Sequence, residues 1–240
     1  MNTIKIEKKQ VRMVAHRGVS KLERENTYAA FVAAGNRSYW GVETDVRTTA
    51  DGHFIILHDE NTARVSGKEG LVPEKSTLAQ LREVRLLDMD GNPGNEALCL
   101  PTLEEYILVC KRYEKECVLE LKTEMDEATT KAMLDRIEAL GYLDHVTFIS
   151  FIASDLVHVK ALCPEARAQF LFGSLTEEIF DFVKQYHLDV DVHHAKLTKE
   201  EVRRYHTNGI EVNCWTVDDP TDAARLIEWG VDYITSNILE

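Results

Sequence analysis

The 240-residue sequence has no long apolar run and no leader-like beginning. No stretch approaches the roughly 18 consecutive apolar residues that a transmembrane helix needs. The first residues, MNTIKIEKKQVRMV, lack the apolar core of a signal peptide. We therefore expect a cytoplasmic protein that does not insert stably into a membrane.

Cysteine is scarce, and its spacing shows no C-x-x-C pair. An odd number of widely separated cysteines in a chain of this length is typical of free thiols in a reducing compartment. The pattern argues against a disulfide framework and agrees with the cytoplasmic location. The cysteines are Cys99, Cys110, Cys117, Cys163 and Cys214.

Basic residues are in the minority. The chain has 28 Lys and Arg residues against 41 Asp and Glu residues, which gives a formal net charge of −13. Such a charge repels nucleic acids and anionic membranes, so we expect neither as a main partner. A phosphate ester would have to be bound by local cations that outweigh the overall field.

Short apolar runs alternate with longer amphipathic segments along the whole chain, and no linker or low-complexity tract interrupts them. Several helices begin with capping-box spacing, namely Thr102 and Glu105, Ser174 and Glu177, and Thr198 and Glu201. Asp219-Pro220 predicts a further helix start. Eight runs are typical of strands: 12–15, 41–46, 117–121, 146–149, 167–171, 188–192, 211–215 and 231–235.

Eight strand-then-helix units are the pattern of a closed parallel (β/α)₈ TIM barrel, a fold of about 250 residues. We predict one such domain over residues 1–240. The competing architecture is an open, doubly wound sheet. The first strand is not followed by G-x-G-x-x-G, which disfavours the dinucleotide-binding form of that fold.

One apolar run, 53–58, does not fit this rhythm. It follows the second strand after an Asp51-Gly52 turn, too soon for a parallel crossover, so we predict an antiparallel hairpin strand. A two-residue loop at Asp51-Gly52 would place Asp45 opposite His58. Residues 59–100, with one predicted helix near 77–88, then form a small insertion at the top of the barrel.

Strand parity predicts which side chains face the barrel interior, because apolar side chains of each strand face the helices. In three strands the alternate, inward positions are polar or aromatic. Three inward carboxylates need a cation or a proton, which favours a metal site over an incidental acidic rim. The inward residues are Glu43, Asp45, Glu120, Lys122, Asn213 and Trp215.

The chemistry of these positions suits a phosphate ester. Hard oxygen ligands without inward cysteine favour Mg²⁺ or Ca²⁺ over zinc. His16 ends the first strand and His58 ends the hairpin, and two imidazoles can act as general base and general acid. Arg17 offers a planar fork for phosphate oxygens, although it could instead pair with Glu25 or Glu43.

These residues lie in motifs that resemble the glycerophosphodiester phosphodiesterase family. In order, the motifs are AHRG, REN-T-xx-AF (24–31), VETDV, the DG turn, ILHDE, LELK, ISF and CWTVD. They extend over residues 14–235. Together they are specific, because the histidines, the acids and their spacing all agree.

The resemblance implies a (β/α)₈ barrel with an insertion after the hairpin, and a reaction of glycerophosphodiester with water that yields glycerol 3-phosphate and an alcohol. It implies one divalent cation, Mg²⁺ or Ca²⁺, and allows attack by the glycerol 2-hydroxyl or by water. The implied roles are acid and base for His16 and His58, metal ligands for Glu43, Asp45 and Glu120, and phosphate or substrate contacts for Arg17, Lys122 and Trp215.

Two departures from the family pattern lie outside this set of site residues. Arg24 stands where proline usually precedes Glu-Asn, and residues 235–238 read Thr-Ser-Asn-Ile instead of a Thr-Asp-x-Pro type. We expect them to affect substrate choice and the last loop more than the chemistry.

Other interpretations stay open. A lysophospholipase D-type enzyme would act on a lysolipid, and a non-catalytic barrel would bind a phosphate ester without cleaving it. Asp189, Asp191 and His193 share one strand face, and we predict a pocket-lining or buried polar network there, with His193 as a minor substrate contact. The sequence does not predict an oligomeric state.

Overall fold

The computed structural model describes residues 2–240. Strands and helices alternate along most of this range. The strands are β1 (Arg12–Ala15), β2 (Gly41–Thr48), β3 (Phe54–Ile56), β4 (Glu116–Leu121), β5 (Val146–Ser150), β6 (Arg167–Phe172), β7 (Asp189–His193), β8 (Val212–Trp215) and β9 (Tyr233–Ser236). The α-helices are α1 (Tyr28–Gly35), α2 (Ala63–Ser66), α3 (Leu78–Arg82), α4 (Leu103–Arg112), α5 (Glu127–Ala139), α6 (Ala153–Leu162), α7 (Glu177–Gln185), α8 (Lys199–Thr207) and α9 (Pro220–Trp229).

Eight of the strands are parallel neighbours in the order β8-β7-β6-β5-β4-β2-β1-β9. The two end strands also meet, since Asp232 N donates to Val212 O over 2.9 Å and Val217 N donates to Thr235 O over 3.0 Å. The predicted TIM barrel is therefore confirmed, and the open sheet is wrong. The observed strand ends lie within two residues of the predicted ones.

The main core lies between the outward faces of the strands and the helices, and it includes Val42, Val46, Leu119 and Cys214. A smaller apolar cluster fills part of the barrel interior, with Val14, Val118, Ile149, Leu171 and Tyr233 at its centre. The strands thus bury apolar side chains on both faces, and buried polar side chains such as Gln169 and Asn213, joined by a hydrogen bond of 3.0 Å, share the interior with them. Among residues 2–240, no helix is long and apolar enough to cross a membrane.

Several predicted helix starts are confirmed. Thr102 and Glu105 form a reciprocal capping box, and the Thr198 side chain accepts from Glu201 N. Asp219 caps the helix that begins at Pro220. The cap predicted at Ser174 is wrong, because Thr176 directly precedes the amphipathic turn and its hydroxyl accepts from Ile179 N.

The hairpin exists, but its predicted register is wrong by one residue. Val46 pairs with Ile56, and Leu57 N donates to Asp45 O over 3.0 Å, so Asp45 lies opposite Leu57 and not His58. The loop has three residues, 50–52. It closes in this way because Thr49 N donates to His53 O over 2.9 Å and Gly52 takes a left-handed φ of 75°.

Residues 59–100, the predicted insertion, pack a small apolar cluster of their own against β3. This cluster is Ile55, Leu57, Val65, Leu81, Leu86 and Leu100. The helix predicted near 77–88 is wrong beyond Arg82. Backbone bonds from Leu86 N to Leu98 O and from Gly94 N to Leu86 O pull the chain into an extended pairing instead.

Candidate active site

The carboxyl ends of the strands surround a cavity of about 100 Å³. Seven of the eight predicted site residues line it: His16, Arg17, Glu43, His58, Glu120, Lys122 and Trp215. The eighth, Asp45, is fully buried beside them. Strand parity therefore brings the predicted residues to one place, at the end of the barrel where enzymes of this fold react.

Three carboxylates form the acidic centre of the site. Glu43 and Asp45 lie on β2, and Glu120 is the cross-strand partner of Asp45 on β4. One ligand oxygen from each lies within 4.8 Å of the others. Burial and the charge of Asp45 raise the pKa of Glu120 to about 7 and that of Glu43 well above its usual value. Ionised together, these groups repel one another unless a cation joins them.

Asp45 is the carboxylate that stays ionised. Burial acts to raise its pKa, but the charges of Arg17, His58 and Lys122 and a bond from Asn26 lower it. Its Oδ2 accepts from Asn26 Nδ2 over 2.7 Å, whereas its buried Oδ1 has no hydrogen-bond partner. An unpartnered carboxylate oxygen facing two more carboxylates fits a hard divalent cation such as Mg²⁺ or Ca²⁺.

Arg17 is fixed by its backbone and by its side chain. It has a left-handed φ of 53°, and its backbone N donates to Glu43 Oε2 over 2.8 Å. Its Nη1 donates to Glu25 Oε1 over 2.9 Å, and its buried Nε has no hydrogen-bond partner. Both pairings left open by the sequence therefore exist, one through the side chain and one through the backbone. Gly18 follows because a Cβ there would lie 2.6 Å from the Ala30 carbonyl carbon.

His16 is held by an amide. Its Nδ1 lies 2.7 Å from Asn237 Oδ1, and Asn237 Nδ2 donates to Asp218 Oδ2 over 2.8 Å. Because the Asp218 carboxylate only accepts, the amide oxygen faces His16, and the imidazole Nδ1 carries the proton. The ring Nε2 is left facing Glu43, 4.0 Å from its Oε2. Burial and the charge of Arg17 lower the pKa of His16 to about 4, so the ring is neutral at neutral pH.

His58 is held by a carboxylate. Its Nδ1 lies 2.8 Å from Asp59 Oδ1, and since a carboxylate only accepts, Nδ1 is again the donor. Asp59 also accepts from Arg64 Nε over 2.6 Å. Burial lowers the pKa of His58, although the charge of Asp45 opposes the change. Both imidazoles therefore present Nε2 as the nitrogen that is free for chemistry.

Lys122 and Trp215 complete the wall. Lys122 Nζ donates to Glu120 Oε1 over 2.7 Å and lies 3.7 Å from Asp45 Oδ1. The Trp215 indole donates to Asp191 O over 3.3 Å, and its ring meets the edge of Phe151 at 5.6 Å. One wall of the cavity is thus cationic and another aromatic.

The three polar residues predicted to share one strand face, Asp189, Asp191 and His193, lie along β7 in different surroundings. Asp191 is buried and lines the cavity, whereas Asp189 accepts from Glu211 N at the opposite end of the strand. His193 packs against the Trp215 ring with centroids 5.2 Å apart. The predicted pocket-lining role fits Asp191 and not Asp189.

Sequence reasoning missed two contacts of the site. Asn26 donates to Asp45, and only its place in the REN-T motif marked it. Asn237 contacts His16 directly, so the expectation that the Thr-Ser-Asn-Ile departure lies away from the site is wrong for this residue. The reason is that Asn237 directly follows β9, the neighbour of β1, and Asp218 anchors both its backbone N and its side-chain amide.

Comparisons with known proteins agree with this geometry. The family model "Glycerophosphoryl diester phosphodiesterase family" matches residues 16–239. A glycerophosphodiester phosphodiesterase from Caldanaerobacter subterraneus is 28% identical over 94% of this chain and 93% of that protein. Another, from Bacillus subtilis, is 28% identical over 93% of this chain and 82% of its own. The crystal structure of a glycerophosphodiester phosphodiesterase from Parabacteroides distasonis is similar, with a TM-score of 0.80, 25% identity, and coverage of 95% and 93%.

Proposed function

Because the chain belongs to the glycerophosphoryl diester phosphodiesterase family, we propose that it hydrolyses glycerophosphodiesters to glycerol 3-phosphate and an alcohol by metal-dependent acid–base catalysis. The single observation that carries this proposal is the site itself. Three clustered carboxylates, two of which line the cavity, lie beside two imidazoles, and the Nδ1 of each imidazole is engaged elsewhere.

Glu43, Asp45 and Glu120 would hold the divalent cation. When bound, such an ion polarises a phosphoryl oxygen and offsets negative charge in the transition state. The three residues fit it because their oxygens lie close together and Asp45 Oδ1 has no hydrogen-bond partner. Their hard oxygen donors favour Mg²⁺ or Ca²⁺.

The two histidines would move the protons. One imidazole, in its neutral form, accepts the proton of the attacking hydroxyl at Nε2, and the other, protonated at both nitrogens, donates its Nε2 proton to the leaving alkoxide. Asn237 and Asp59 hold the two rings in the tautomer that leaves Nε2 available. Either water attacks the phosphorus directly, or the glycerol 2-hydroxyl attacks first and water then opens the resulting cyclic phosphate to glycerol 3-phosphate. The same pair of imidazoles serves both routes.

Arg17 and Lys122 would bind the phosphate. The Arg17 guanidinium lines the cavity and can donate to a phosphate oxygen, and Lys122 adds a second positive charge next to Glu120. These cations act locally against the overall charge of −13. Trp215 would pack against the glycerol carbons. Cytoplasmic location and a single domain over 1–240 stay predictions.

A substrate panel tests the proposal. Glycerophosphocholine, glycerophosphoethanolamine and lysophosphatidylcholine are each incubated with Mg²⁺, with Ca²⁺ and with EDTA, and both glycerol 3-phosphate and the released choline or ethanolamine are measured. We expect release from the first two substrates with a divalent cation and none in EDTA. Cleavage of the lysolipid alone would favour the lysophospholipase D-type function. Tight binding without cleavage under any ion would favour a binding protein.

A further inference from the structure

Arg64 joins two carboxylates that belong to different loops. Its Nη1 and Nη2 donate to Glu25 Oε2 and Oε1 over 2.9 and 2.8 Å. Its Nε and Nη2 donate to Asp59 Oδ2 and Oδ1 over 2.6 and 3.1 Å. One guanidinium group therefore donates two hydrogen bonds to each of two carboxylates.

Each of these carboxylates holds a proposed functional group on its other side. Glu25 Oε1 accepts from Arg17 Nη1 over 2.9 Å, and Asp59 Oδ1 accepts from His58 Nδ1 over 2.8 Å. A continuous chain of charged hydrogen bonds thus runs from the phosphate-binding guanidinium to one imidazole. It connects the loop after β1 with the start of the predicted insertion, segments 39 residues apart.

Both carboxylates are ionised, as this bridge requires. Burial acts to raise the pKa of Glu25, but the bonds from Arg64 and the charge of Arg17 outweigh it and lower the pKa to about 2. The bonds from Arg64 lower the pKa of Asp59 to about 2. Without Arg64, each carboxylate would lose two of its hydrogen bonds and be free to turn.

We infer that Arg64 is a positioning residue that fixes the orientation of Arg17 and His58 together. It does not line the cavity, so it touches neither the substrate nor the reacting atoms. Lysine cannot replace it, because a single ammonium group cannot donate paired, parallel hydrogen bonds to two carboxylates. The inference rests on the proposed function, since it assigns Arg64 a role through Arg17 and His58.

The test compares Arg64→Met with Arg85→Met, a control in the same segment. Arg85 donates to Glu96 O and lies outside the cavity lining. Loss of a positioning partner typically costs about 10–100-fold, so we expect kcat/KM for glycerophosphocholine to fall by that factor in Arg64→Met. Arg85→Met should stay within about twofold of the wild type. Thermal unfolding checks that both variants are folded.

Two further measurements separate positioning from general stability. Because the Arg64 side chain is 46% exposed, added guanidinium ion can reach the vacated position, and it should restore part of the activity of Arg64→Met. Arg64→Lys should remain impaired. In a Glu25→Gln, Asp59→Asn background, removing Arg64 should cost no more than about twofold, because neither amide can accept a charged pair of hydrogen bonds from it.

Several results would overturn the inference. They are wild-type activity in Arg64→Met, no response to guanidinium, or an equal loss in the Glu25→Gln, Asp59→Asn background. If the wild type cleaves no glycerophosphodiester, the proposed function fails, and imidazole NMR then decides on Arg64. Loss of the His58 Nδ1–H signal in Arg64→Met, with the His16 signal retained, supports the role. Retention of both signals rejects it.

Discussion

Glutamate residues at the two ends of the barrel have opposite electrostatic surroundings, and β4 carries one example of each. Glu116 begins this strand and accepts from His145 Nδ1 over 2.7 Å and from Arg167. These bonds outweigh burial and lower its pKa. Glu120, four residues on, faces Glu43 and Asp45 with Lys122 as its bonded cation, and its pKa is raised to about 7.

Other charges at the amino-terminal end are also paired. Arg12 donates to Glu211 over 2.6 Å and lies 3.8 Å above the Tyr233 ring, while the Tyr233 hydroxyl also donates to Glu211. Glu116 and Glu211 are thus compensated within the protein, whereas Glu43 and Glu120 at the carboxyl end have raised pKa values and would be compensated by a bound cation. The paired charges at the amino-terminal end stabilise the fold. The clustered carboxylates at the carboxyl end repel one another, and a bound cation can reduce that repulsion.

The largest expected effect tests whether the histidines of the carboxyl end are functional. We expect His16→Ala or His58→Ala to reduce kcat by about 10²–10⁴-fold, because each removes a proton-transfer group. The thermal unfolding midpoint should change little. His145→Ala at the other end is the matched control and should keep its turnover number. An equal loss in His145→Ala, or normal turnover in either site variant, would contradict the comparison.

A pair of isosteric substitutions on β4 tests the comparison between the two ends of the barrel further. Glu120→Gln should reduce activity by at least about 100-fold while making the metal-free protein more stable, because it relieves repulsion. Glu116→Gln should leave kcat/KM unchanged and lower the free energy of unfolding by about 1–2 kcal/mol, because charged hydrogen bonds are lost. Urea unfolding in EDTA and steady-state kinetics measure both. A lower free energy of unfolding in metal-free Glu120→Gln than in the wild type would contradict the difference between the two ends of the barrel.

The sequence predicted what depends on local pattern. Strand parity brought Glu43, Asp45 and Glu120 to the inner face, since alternation of apolar side chains is a property of each strand alone. The hairpin register failed because the Thr49 side chain and Gly52 together close a three-residue loop. Such a choice depends on particular contacts, which no alternation pattern records.

The sequence did not predict contacts between segments that lie far apart along the chain. Asn237 meets His16 across 221 positions of sequence, and Arg64 meets Glu25 across 39. Neither residue stands in a pattern that marks it, because asparagine after a strand and arginine in a short helix have many ordinary uses. Pairing of β9 with β1 sets Asn237 beside His16, and pairing of β1 with β2 brings the segment after the hairpin, with Arg64, to the loop that holds Glu25.

The smallest expected effect concerns Asp189, the exception at the amino-terminal end. Burial and the charges of Glu211 and Asp232 raise its pKa to about 6. The folded state then holds a proton between pH ~4 and ~6 that the unfolded state, with a pKa of about 3.9, has released. Stability therefore falls as the pH rises through this window, and the full cost applies above pH ~6.

Asp189→Asn should remove this slope, because the amide oxygen can still accept from Glu211 N and carries no charge. At pH 7 we expect the variant to be more stable by about 1–2 kcal/mol, and at pH 4 to match the wild type. Urea unfolding at several pH values measures the difference, and kcat should not change. A gain that is the same at pH 4 and pH 7 would mean that Asp189 carries no uncompensated charge, and the amino-terminal end would then have no exception.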